Sequence, residues 1–123
     1  MLKTLLMSIA LLANAVTGVS TARAEALSAR ANYILHCSGC HRPDGEGTIE
    51  GGIPAFQDSV GHIAGTEKGR TYILHVPGVI STNMSDADVA EVLNYILDRW
   101  GNHGPEFTAQ EVTRRRALPV ADV

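Results

Sequence analysis

Residues 37–41 read Cys-Ser-Gly-Cys-His, and no other feature constrains the chain as much. The spacing Cys-x-x-Cys-His is the attachment signal for c-type haem. Two thiols three positions apart sit on one turn of backbone, so each can form a thioether to a vinyl group on one porphyrin edge. The next residue, His41, then lies under the iron and supplies its first axial nitrogen. Other uses of a cysteine pair fit less well. A thioredoxin-like dithiol expects a nearby βαβ pattern, and none is visible. A structural zinc site needs four ligands, usually as two separated pairs, yet Cys37 and Cys40 are the only cysteines. A disulfide between them would close a tiny loop.

The start of the chain supports the same chemistry. Lys3 gives a positive leader, residues 5–19 are mostly apolar, and Ala22-Arg23-Ala24 ends in an Ala-x-Ala cleavage pattern. Residues 1–24 therefore read as a secretory signal peptide. Their apolar run is short of the ~20 residues that a membrane span needs. The expected mature chain starts at Glu25, is soluble and periplasmic, and has no membrane span. Haem of this kind is attached outside the cytoplasm. Two cysteines are too few for a disulfide scaffold.

The 99 residues after the leader allow one domain, and a core of that size is marginal on its own. A buried porphyrin would add apolar surface for helices to pack on, which suits three Tyr, two Phe and one Trp. Without Lys3 and Arg23 there are eight Lys and Arg against thirteen Asp and Glu, a net charge of −5. That balance argues against nucleic acid and anionic lipid as partners.

The rest reads as helices and turns. Leu27 to His36 has Leu27, Ala31, Ile34 and Leu35 on one face at helical spacing. A turn-rich run, Arg42-Pro43-Asp44-Gly45-Glu46-Gly47, continues through Gly51-Gly52-Ile53-Pro54; so long a loop in a compact domain implies that it covers something. Thr66 to His75 is a short helix capped by Thr66, weakened by Gly69 and ended by Val76-Pro77-Gly78. Ser85 to Trp100 is the strongest helix, with a capping box at Ser85-Asp86-Ala87-Asp88 and a stripe of Val89, Val92, Leu93, Ile96 and Trp100. Thr108-Ala109-Gln110-Glu111 opens a final helix to Arg116. Nothing reads as a strand, so the fold class is all-α.

From Leu27 to Trp100 these features resemble the small monohaem class I c-type cytochromes. The resemblance rests on a helix running into Cys37-Ser38-Gly39-Cys40-His41, a Gly-rich loop, and the amphipathic segment Val92-Leu93-Asn94-Tyr95-Ile96-Leu97. It implies a cytochrome c domain over residues 25–103, with its first and last helices crossing near one covalently attached haem c. Residues 104–123 would form a tail with a short helix, outside that core. It also implies that the carbonyl of Pro54, 13 residues after His41, holds the ring N–H of that histidine. Such a contact fixes the tautomer and raises ligand basicity.

The sixth iron ligand is where the resemblance breaks. The family presents methionine before its last helix, and the equivalent segment here is Val76-Pro77-Gly78. Three answers stay open. Met84, the only methionine beyond the leader, could bind the iron, or it could pack as a staple on Val89. His75 could give a bis-histidine iron, or be a histidine favoured by a helix C-terminus. The iron could also lack a strong protein ligand on that side. His62 and His103 read as solvated loop histidines, and Arg114-Arg115-Arg116 as a mostly solvated run that offsets a helix dipole.

The expected function is electron transfer, with no catalytic turnover of its own. One electron would pass from a dehydrogenase to a downstream acceptor through transient contacts with periplasmic redox proteins. The alternatives are a haem protein with an open sixth site for small gases or peroxide, or a haem subunit of a larger dehydrogenase docked through the tail.

Overall fold

The computed structural model describes residues 27–119; the leader expected at residues 1–24 lies outside them. Seven helices follow one another among the described residues: α1 (Ala29–His36), α2 (Ser38–His41), α3 (Val60–Ala64), α4 (Glu67–His75), α5 (Pro77–Ile80), α6 (Asp86–Trp100) and α7 (Ala109–Arg116). Among the described residues the only β pairing is a single bridge between Thr48 and Ile53. The fold is all-α, and none of these helices is long and apolar enough to cross a membrane.

Local chemistry sets the helix starts. Ser28, Thr66, Ser85 and Thr108 each accept a backbone N–H from inside the first turn, those of Ala31, Gly69, Asp88 and Glu111. These bonds satisfy donors that a helix start leaves orphaned. Pro77 does more than end α4. It occupies the first position of α5, where its missing N–H costs nothing. Gly69 is a packing requirement, because a Cβ there would collide with the Ile63 carbonyl oxygen. The α3–α4 corner closes on that backbone.

The core is one cluster. Helix α6 contributes Val89, Ala90, Val92, Leu93, Ile96 and Leu97, joined by Tyr33 from α1 and Leu74 from α4. Two expectations are corrected. The apolar face read on α1 is not the face that packs: Asn32 and Tyr33 are buried, while Leu27, Ile34 and Leu35 are 50%, 39% and 65% exposed. The reason is aromatic packing, since the Tyr33 ring lies 5.2 Å from Trp100 and 5.6 Å from Tyr95. The tail is also not outside the core. Phe107 and Val112 belong to the same buried cluster and are 3% and 0% exposed.

Candidate haem site

The motif sits where α1 gives way to α2. Cys37 closes α1 by donating its N–H to the Tyr33 carbonyl at 2.9 Å, and its own carbonyl accepts from Cys40 at 3.2 Å and His41 at 2.9 Å. Both thiols and the histidine are thus carried on one short turn. Arg42 then reverses the chain with φ 64°, a left-handed conformation that costs energy in a residue other than glycine. Fully buried Tyr33 holds it there, its hydroxyl donating to the Arg42 carbonyl at 2.6 Å.

The Gly-rich loop folds back over this turn. Gly47 donates its N–H to the His41 carbonyl at 3.1 Å, and Thr48 its hydroxyl to the Cys40 carbonyl at 3.1 Å. The Thr48–Ile53 bridge then returns the chain past His41. Gly47 sits at φ 66°, and a Cβ there would collide with the Ile53 oxygen, so only glycine fits. The Phe56 ring stacks on the His41 ring, with centroids 4.1 Å apart and planes 17° apart.

The electrostatics suit a neutral ligand. Burial pulls His41 below the usual histidine range, and the Pro54 carbonyl partly opposes it. That carbonyl acts on the ring without closing a hydrogen bond of ordinary length and angle, for His41 Nδ1 is buried and has no partner. Burial, then the neighbouring Cys40, push the Cys37 thiol up to about 11. A redox dithiol needs the opposite shift. The two cysteines are free, Cys37 half-buried and Cys40 exposed.

The candidates for the sixth position are placed differently. His75 ends α4, and both its ring nitrogens face backbone carbonyls, Nδ1 that of Thr71 at 2.8 Å and Nε2 that of Leu118 at 3.0 Å. Met84 is half-buried and packs against the core cluster immediately before the Ser85 cap. His62 and His103 line one polar cleft together with Asp58, Asp98 and Trp100. His103 lies 3.4 Å from Asp98 and is well exposed. Among the described residues no group of three or more His, Cys, Asp or Glu side chains could hold a metal ion.

Two curated relatives are similar to this chain, both from Thermus thermophilus and both named cytochrome c-552. One is 31% identical over 123 residues, covering 81% of this chain and 80% of the relative. The other is 32% identical over 110 residues, covering 71% and 83%. The chain belongs to the cytochrome c family. Its cofactor is covalently attached haem c, and its role is that of a haem electron-transfer protein. No family model matches the chain, and no solved structure matches it. The residues present fit the group: two free thiols on one turn, followed by a histidine that burial shifts toward its neutral form and whose Nδ1 lacks a protein partner.

Several residues that build this cytochrome carry no motif. Tyr33 links the attachment turn to the core. Arg70 is buried on α4, and all five of its N–H groups are used: on Glu111 at 2.6 and 2.7 Å, and on the carbonyls of Ala64, Pro105 and Glu106. Its guanidinium also lies 3.8 Å from the Phe107 ring centroid. The arginine run is not mostly solvated. Arg115 bonds Glu67, Thr71 and Glu111, and Arg116 bonds Asp86. Most of these partners lie tens of residues away, so no local pattern marks them. Tyr33→Phe should lower stability by about 1 kcal/mol, the usual net value of a hydrogen bond. Thermal unfolding of the haem-loaded protein measures it, and an unchanged midpoint would show that Arg42 is held by other contacts.

Proposed function

We propose that this cytochrome carries one electron at a time on a single haem, attached through Cys37 and Cys40 with His41 as proximal ligand. The single observation that carries the reading is the attachment turn: two free thiols and a half-buried histidine whose Nδ1 is buried and unpartnered. When bound, the haem would supply an iron able to gain and lose one electron. The protein's part is to hold His41 in one orientation, between the Phe56 ring and the Pro54 carbonyl, and to limit access of water. Electron donor and acceptor would be a dehydrogenase and a downstream oxidant, met outside the cytoplasm by brief contacts over a small area. The leader features at residues 1–24 support that location.

For the sixth ligand the reading favours Met84 over His75. Both nitrogens of His75 face carbonyls, and the one N–H of a neutral ring donates to one of them, so binding iron would pull the ring out of this position. The Met84 thioether has no competing polar partner, and an electron carrier gains from a ligand that stays bound in both oxidation states. One observation favours a second reading, in which the sixth position is open to small gases or peroxide: Met84 packs against the core from the position just before the Ser85 cap, the place of a helix staple. The third reading, a docked dehydrogenase subunit, loses its support because Phe107 and Val112 of the tail are buried in the chain's own core.

Absorption spectra separate the first two. The ferric protein should show the weak long-wavelength band of thioether ligation, lost in Met84→Ala and kept in His75→Ala. Rapid binding of carbon monoxide by the ferrous wild type, with no such band, would establish the open site instead.

A further inference from the structure

The C-terminal helix grips the segment between α4 and α6, which is the one that carries Met84. His75 is the residue from which the chain leaves α4, and its Nε2 meets the Leu118 carbonyl at 3.0 Å. The last carbonyls of α5, those of Val79 and Ile80, accept from Arg116 Nη2 at 3.3 and 3.5 Å. The chain enters α6 at Asp86. One oxygen of that carboxylate accepts from Arg116 Nη1 at 2.7 Å, the other from the Thr113 hydroxyl at 2.5 Å. Both ends of the segment and its middle are therefore tied to residues 113–118.

The grip has a firm base. Val112 is fully buried, and Glu111 pairs with Arg70 and Arg115. Arg116 and Asp86 are themselves mostly shielded, their side chains 19% and 32% exposed. Charge-assisted bonds in such a setting are stronger than those of an open surface pair. The Thr113 hydroxyl, and then Arg116, hold the Asp86 carboxyl below the usual carboxylate range, so it stays ionised for the contact.

We infer that α7 is a strap that positions residues 76–84, with Arg116 as the positioning residue, and so keeps the sixth side of the haem closed to outside ligands. The inference rests on the reading that this segment supplies the sixth ligand. It gives the tail a role in setting haem reactivity beyond its share of the core. Loosening the strap should let the segment swing away more often while the attachment turn at Cys37–His41 stays as it is.

The test uses the full-length haem-loaded protein with Arg116→Gln, Arg116→Lys and, as a control that removes a helix cap away from the strap, Ser28→Ala at the start of α1. The probes are imidazole added to the ferric protein and carbon monoxide to the ferrous one, with global stability followed by urea unfolding. Arg116→Gln should speed both bindings by about tenfold, the change expected when one charge-assisted bond is lost. Arg116→Lys should fall between, because it can still meet Asp86. Ser28→Ala should lose comparable stability, as caps do, without the gain in binding rate. Unchanged rates in Arg116→Gln, with the thioether band intact in the wild type, would overturn the strap alone. Equal acceleration in Ser28→Ala would show that only global stability matters, and overturn it too. A wild type without the band that already binds both probes rapidly would instead remove the Met84 reading and the strap with it.

Discussion

Replacing Glu111 by alanine is expected to destabilise the protein by about 3–5 kcal/mol, the cost of leaving a buried charge without its partner. Arg70 would be that charge. Its side chain is 7% exposed and Glu111's is 12%, so little water can take the place of the lost carboxylate. Three carbonyls would still accept from Arg70, which places the loss toward the lower end of that range. Glu111 also accepts from Arg115 at 2.8 Å, so the variant would loosen both arginines together. Urea unfolding followed by helical circular dichroism measures the change. A loss below about 1 kcal/mol would place the pair with ordinary surface ion pairs. Substituting both partners by apolar residues, Arg70→Met with Glu111→Leu, should restore part of the stability, since Arg70 is then no longer a buried charge while Arg115 keeps Glu67 and Thr71 as partners.

The same pair predicts an acid response. The Arg70 hydrogen bonds, chiefly, hold the Glu111 carboxyl down at about 2, against an ordinary value of 4.5. A depressed folded-state value means that the unfolded chain binds the proton first as pH falls. The contribution of Glu111 is therefore complete above pH 4.5 and is lost progressively from there toward pH 2. In Glu111→Gln that contribution should be absent, and stability should fall less steeply through the same window.

The second large effect concerns the thiols. Acidified organic solvent should extract no haem from the wild type, because thioethers survive denaturation. From the double variant Cys37→Ala with Cys40→Ala it should extract all of it, while each single variant should keep one linkage. The turn explains why the pair acts together. The Cys40 N–H reaches the Cys37 carbonyl at 3.2 Å, so the two side chains start from one loop of backbone. Intact haem recovered from the wild type would end the attachment assignment. His41→Ala should keep the covalent links, if it assembles, but show a changed spin state, since the proximal nitrogen would be gone.

The attachment run and the starts of α4, α6 and α7 were legible in the chain because each is set within a few residues. Thr66, Ser85 and Thr108 reach donors in the first turn of their own helices, whereas α1 was expected from Leu27 and begins after a cap at Ser28. Two thiols and a histidine fit one turn whatever surrounds them. The α6 stripe was legible for the same reason, since period and burial agree along one helix. The face that α1 buries was not, because its apolar stripe and its aromatic Tyr33 point different ways, and only the rings of Tyr95 and Trp100 choose between them. Only the tertiary structure decided that Arg70 would be buried, that His75 would meet Leu118, and that Arg116 would reach Asp86. Their partners stand 41, 43 and 30 residues away. The sequence determined the chemistry this protein can attach to itself; the packing of the tail decided which charges lose their water, because a charge is buried only where distant segments meet to satisfy it.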